Sequence, residues 1–155
     1  MPMPAQYIFH IDFVDRVLKM HTNGFSHADS MRRLPFPANC VNWNVGHLLL
    51  FRAQYLGAID GVTTPIAEEW AIYGAGSDPL IDNAKAIPFE TLLGRFDEST
   101  ARIKDVLQNL PRERLDEPYE SIRGTTLGDY LQFYVIVHES YHLGQLAILR
   151  EFILS

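Results

Sequence analysis

In four long stretches of this 155-residue chain, apolar side chains recur every three to four positions, and no sustained apolar–polar alternation interrupts that rhythm. Such spacing gathers apolar groups on one face of a helix, whereas strands need a period of two. The first stretch runs from Ala5 to Thr22, with Tyr7, Ile11, Val14, Leu18 and His21 on one face. It stops at Asn23-Gly24, glycine being favoured just past a helix end. A short helical stretch over Ser26 to Leu34 ends at Pro35 and Pro37. The second long helix starts at Asn39, an N-cap residue type, and runs to Ile59, before Asp60-Gly61. The third spans Pro88 to Leu110, with Phe89, Leu92, Leu93, Phe96, Ile103, Val106, Leu107 and Leu110 as its stripe. Pro88 suits its first turn and Pro111 its end. The fourth opens at Thr126, where Thr126 and Asp129 have the spacing of a capping box, and continues to the C-terminus.

Four amphipathic helices predict an all-α four-helix bundle, in a single domain covering residues 1–155. With 47% hydrophobic and 21% charged residues, the chain has ample apolar surface for a core. The connection from Asp60 to Ile87 is long for a compact domain, and such segments are often lids or binding loops. It could also travel the length of a helix of about 20 residues, roughly 30 Å, so the second and third helices need not be antiparallel. Its Tyr73-Gly74-Ala75-Gly76-Ser77 segment has the freedom to fold over a bundle mouth, a surface crossover being the plain alternative.

Thirteen Lys and Arg against nineteen Asp and Glu leave a net charge of −6. That argues against nucleic acid as a partner, because phosphate binding rests on clustered cations. The single cysteine, Cys40, excludes an internal disulfide and a multi-cysteine zinc site. At the start of the second helix its thiol could be acidified, but a small buried apolar side chain is the simpler reading. No run approaches the roughly 18 apolar residues of a membrane span. No leader is legible in Met1-Pro2-Met3-Pro4 and the stretch broken by Asp12 and Asp15. A soluble, cytoplasmic protein is expected.

The chemistry concentrates in histidines. His138-Glu139-Ser140-Tyr141-His142 sets two imidazoles at i and i+4, with Cβ atoms about 6 Å apart on one face. Both can then reach one metal at about 2 Å from each nitrogen. At about 100° per residue, Leu127, Leu131, Tyr134, His138, His142, Gln145, Leu149 and Phe152 form one stripe, with both histidines in its middle. On the second helix Trp43, His47, Leu50, Phe51, Gln54 and Ala58 share a face, with His47 near its centre.

Burying an imidazole is unfavourable unless its nitrogens find partners. A lone core histidine is usually just hydrogen-bonded, but three rings on two helices can satisfy one another by sharing a divalent metal, as in other bundle interiors. His10 and His27 fall on solvent faces or in the connection, and His21 at a helix end. Gln54 and Gln145 share the ligand faces as candidates to support ligands or touch substrate, and Trp43 and Tyr141 as candidate pocket wall. Glu139, about 100° round from His138, is the candidate base or proton shuttle, a solvated flank being the alternative.

The same five residues satisfy H-E-x-x-H, the metalloprotease signature. The metzincin extension would place glycine and histidine where this chain has Gln145 and Ile148, and no strands are read to frame a protease cleft. A protease is not expected.

Three stretches, Asn39-Cys40-Val41-Asn42-Trp43-Asn44-Val45-Gly46-His47-Leu48, Tyr73-Gly74-Ala75-Gly76-Ser77, and His138-Glu139-Ser140-Tyr141-His142-Leu143-Gly144-Gln145-Leu146 followed by Arg150, together resemble the DinB/YfiT-like metalloenzyme family. The tail H-x-x-x-H-x-G-Q-L, paired with W-x-x-x-H upstream, carries most of the resemblance. It implies an up-down-down-up bundle and a divalent metal, typically nickel or zinc, on His47, His138 and His142. Homodimers are common in such a family. Its relatives include thiol-dependent transferases and isomerases, using bacillithiol or mycothiol, and hydrolase-like members. Cys40 departs from the small hydroxyl residue that relatives often carry. The expected protein is therefore a metal-dependent enzyme with a three-histidine site and an open coordination position, the arrangement of catalytic rather than structural zinc. Thiol-dependent S-transfer with a small-molecule substrate is the favoured reaction. A metal-dependent hydrolase, or a non-catalytic binding module for stress response, is the alternative.

Overall fold

The computed structural model describes residues 3–62 and 67–155 and is mostly helical. Helix α1 (Pro4–Thr22) buries Tyr7, Ile11, Val14 and Leu18, the expected face, while His21 is half-buried. Gly24, at φ +81°, follows its end. Helix α2 (His27–Ser30) is a single turn, shorter than the stretch read from Ser26 to Leu34. Ser26 opens it: its hydroxyl accepts from the Asp29 N–H, and the Asp29 carboxylate accepts from the Ser26 N–H, a reciprocal box that satisfies two orphan donors.

Helix α3 (Val41–Asp60) is capped by Cys40 rather than Asn39, without a side-chain cap bond. It ends as expected on Gly61, whose left-handed conformation (φ +73°) lets its N–H return to Gly57. Helix α4 (Phe89–Gln108) has Pro88 just ahead of its first turn, not within it, and buries Phe89, Leu92, Phe96, Ile103 and Leu107.

A hairpin of β1 (Pro118–Ser121) and β2 (Gly124–Thr126) follows α4, so the chain is not purely helical. Strands this short carry too few residues for a period of two to register. The last helical stretch starts at Thr126, as read: its hydroxyl accepts from the Asp129 N–H and the Asp129 carboxylate accepts from the Thr126 N–H. It is not uniform. Helix α5 (Leu127–Leu131) passes into a π-helical segment, Gln132–His138, before α6 (Glu139–Leu154) resumes the α pitch.

Helix α1 packs on α4 and α6, and α3 packs on α4 and α6. The order of contacts gives the relative sense of each pair. Asn42 donates to the Ile87 carbonyl just ahead of α4, and Arg52, further along α3, donates to Thr100, so α3 and α4 run the same way. Lys19 with Asp97 and Asp12 with Lys104 set α1 opposite to α4. Tyr7 with Gly128 in α5 and His21 with Arg150 in α6 set α1 in the same sense as the last helical stretch.

Residues 63–66 of the long connection lie outside the described residues. The remainder includes a 3₁₀ turn, Glu68–Tyr73, and is fastened to α3 instead of standing free as a flexible flap. Tyr73 is fully buried; its hydroxyl donates to Asn42 Oδ1 and accepts from the Ile87 N–H. Its ring packs against Gly46, where any side chain would collide with it.

Candidate metal centre

The position of Tyr73 determines the state of His47. The ring of His47 stacks on Trp43 at 4.4 Å between centroids and 17° between planes. Its Nδ1 lies 2.7 Å from the Tyr73 carbonyl. A carbonyl only accepts, so Nδ1 carries the proton and Nε2 is left as a bare acceptor. Trp43 Nε1 donates to the Ile72 carbonyl (2.9 Å) and to Ser77 Oγ (3.0 Å), tying the same connection to the same ring.

His142 is fixed in the same manner from another direction. Asn44 Nδ2 donates to the Cys40 carbonyl at 2.9 Å, which turns Oδ1 toward His142 Nδ1 at 2.8 Å. Nδ1 of His142 is again the donor, and Nε2 the free acceptor. His138, the last residue of the π segment, brings its Nε2 to 3.2 Å from Nε2 of His47. Its Nδ1 is buried without a partner among the described residues. One nitrogen from each ring lies within 4.8 Å of the others.

Burial holds all three rings neutral at neutral pH. His142 is pushed down to about 3 by burial and then by its two neighbouring rings. His138 is pushed down to about 4 by burial, then by His47 and the positive Arg123. His47 is lowered by burial, partly opposed by the Tyr73 carbonyl. Neutral imidazoles are the form that binds metal. One shared proton can settle one contact between facing lone pairs, but not three, whereas a cation can settle all of them. The residues therefore fit a divalent ion, and three imidazoles suit zinc, nickel, copper or iron.

The sequence puts both histidines in the middle of the buried stripe; in the structure His138 closes a π-helical segment and His142 lies in α6. Helix α6 buries Glu139, His142, Leu143, Leu146, Leu149 and Ile153, so His142 points inward as read, whereas His138 is only partly buried. The centre consequently opens to solvent on the His138 side. That side is walled by aromatic rings: Phe51 lies 4.7 Å from His138 and stacks on Tyr134 at 5.2 Å, and Phe133 lies 6.4 Å from His138. π-helical turns are frequent at functional sites.

The other sequence candidates divide. Trp43 is the platform under His47. Gln145 is half-buried, one turn from His142 on the same helix. Tyr141 is 63% exposed, its ring edge-on to His142 at 5.3 Å. Gln54 is exposed on α3, with no hydrogen bond to the histidines among the described residues. Glu139 is neither beside the ring nitrogens nor a solvated flank. It is 1% exposed, with its two oxygens 2.9 Å from Nε and Nη2 of Arg52 and Oε1 also accepting from Tyr55. Cys40 is buried, and burial raises its thiol pKa, contrary to an acidified thiol.

Asn44 and Tyr73 fall within the stretches that carry the resemblance but have no role of their own in the sequence reading, and Arg52 is not singled out by it. Two of them had a signal: Asn44 and Arg52 interrupt the dense apolar run of α3. A cavity of about 380 Å³ lined by Leu49, Ala53, Leu56 and Trp70 involves none of the three histidines.

A helical protein with a candidate three-histidine metal centre is the class that these features define. The chain belongs to the DinB superfamily, whose match covers residues 2–146 and so takes in His47, His138 and His142. No curated protein and no solved structure matches the chain.

Proposed function

We propose that this chain is a metal-dependent enzyme in which His47, His138 and His142 hold one divalent cation, nickel or zinc, and that it performs thiol-dependent S-transfer to a small electrophilic substrate. The observation that carries the reading is the pair of outer hydrogen bonds, from His47 to Tyr73 and from His142 to Asn44. Partners of that kind orient ligand rings and fix their tautomers in metal sites. Bound there, the cation supplies Lewis acidity that favours thiolate over thiol at neutral pH.

The chain's own residues do the rest. Neutral rings accept a cation without first releasing protons. Phe51, Phe133 and Tyr134 shield the approach beside His138 and receive the apolar part of a substrate. Glu139, engaged by Arg52 and Tyr55, holds the first turn of α6 rather than carrying protons. Cys40 is buried and not acidified, so the reacting sulfur arrives with the co-substrate. The order of helix contacts supports an up-down-down-up bundle, with α1 and α6 running one way and α3 and α4 the other. The extent of the family match supports a single domain. A cytoplasmic location, a homodimer and no nucleic-acid partner complete the reading.

Protein purified without added metal is expected to carry metal in stoichiometric amount, and His47→Ala, His138→Ala and His142→Ala each to lose it. Stoichiometric metal that survives all three substitutions overturns the site. With metal bound, turnover of an electrophile by any low-molecular-weight thiol supports S-transfer. Ester or amide cleavage without thiol points to a hydrolase, and no turnover at all to a binding module.

A further inference from the structure

On the reading just given, we infer that Arg123 selects the substrate, pairing with an acidic group on the small molecule that occupies the open side of the histidine centre. Ile122 and Arg123 form the tip of the β1–β2 hairpin, and Ile122 is 87% exposed. The tip is nevertheless anchored. Gly124, at φ +149°, packs so closely on Asp129 that a side chain there would collide with it. The Asp129 carboxylate accepts from the N–H groups of Thr125 and Thr126, and Leu127 N–H donates to the Glu117 carbonyl. The hairpin is thus held against the start of α5.

From this fixed base Arg123 reaches over Phe133, its guanidinium carbon 4.3 Å from the ring centroid. Phe133 in turn lies 6.4 Å from the His138 ring. Arg52, Arg95, Arg102 and Arg114 each pair with a carboxylate. Arg123 is exposed and, like Arg16, Arg32, Arg33, Arg112 and Arg150, pairs with no carboxylate among the described residues; what sets it apart is its place on a ring next to His138. Glu139, the carboxylate adjoining the centre in sequence, is committed to Arg52. An arginine lying on an aromatic ring beside a cation site makes this corner positive. Its planar fork matches a carboxylate or phosphate, while the Phe133 face takes the apolar body of the same molecule.

The test uses zinc-loaded protein titrated by calorimetry with 3-mercaptopropionate and with 2-mercaptoethanol, one thiol carrying a carboxylate and the other neutral. The wild-type chain is expected to bind the anionic thiol about tenfold more tightly. Arg123→Gln should bring that affinity down to the level of the neutral thiol, with zinc content as in the wild type. Equal affinities in the wild type, an undiminished preference in Arg123→Gln, or no binding of either thiol overturns the assignment. Zinc content separates the failures: a zinc-loaded chain without charge preference refutes only the role of Arg123, whereas a chain that takes up no zinc refutes the metal reading as well.

Discussion

Two polar clusters share the interior between α3 and α6, and they are built to opposite ends. Around Arg52 the protein supplies every partner. Nε and Nη2 donate to Glu139, Nη1 donates to Ser99 and Thr100, Tyr55 donates to Glu139, and the guanidinium lies 3.7 Å over the ring of Phe96. Around the histidines the protein satisfies the outer nitrogens of His47 and His142 but leaves the inner ones facing one another. His138 and Glu139 are consecutive, yet each serves a different cluster. A buried polar group is tolerated when its partners are built in. A set of lone pairs aimed at one another, with outer partners already fixed, is a donor set for a cation.

That contrast can be broken from either side. Arg52→Ala leaves Glu139 buried and unpaired, and is expected to cost about 3–5 kcal/mol in urea denaturation. Replacing both partners by apolar residues, Arg52→Met with Glu139→Leu, should recover most of the loss, because the unpaired charge is the expensive part. His142→Ala should do the reverse: metal content falls to background, while the metal-free protein loses less stability than Arg52→Ala does.

Gly46→Ala drives a methyl group into the Tyr73 ring and is expected to cost about 1–3 kcal/mol. It should also weaken metal binding, since a displaced Tyr73 takes its carbonyl away from His47. Asn44→Ala, which removes the acceptor from His142, should lower metal affinity about 10–100-fold in competition with a chelator. The effect of pH on the metal-free chain is small near neutrality and grows as the pH falls. The unfolded chain takes up protons at the histidines near 6.5, whereas the folded rings resist until about 4 for His138 and about 3 for His142. Stability should therefore be level above pH 7 and fall as pH drops below 6.5. An equally steep fall in a variant carrying Gln at both positions would assign the effect to other groups.

The long helices are legible because apolar period and stop signals coincide: α1 runs into Gly24 and α3 into Gly61, both at positive φ. The three histidines are legible because each interrupts an apolar face at the right pitch. Asn44 and Tyr73 are harder, since they meet their rings 98 and 26 residues away in sequence, a distance that local spacing does not reach. The π segment leaves no mark in composition, and His138, its last residue, is only partly buried. Glu139 shows what an angle alone lacks. A residue at the border of a stripe goes to solvent or to core according to what the facing helix offers, and here α3 offers Arg52.

The carbonyl on His47 comes from the connection, not from a long helix. With an ion held as proposed, seating of Tyr73 on Gly46 and uptake of that ion become linked equilibria, so each strengthens the other by the same free energy. Whatever loosens that crossing, even far from any imidazole, should register as weaker loading; a saturating ion should in turn protect the segment around Tyr73 from hydrogen exchange.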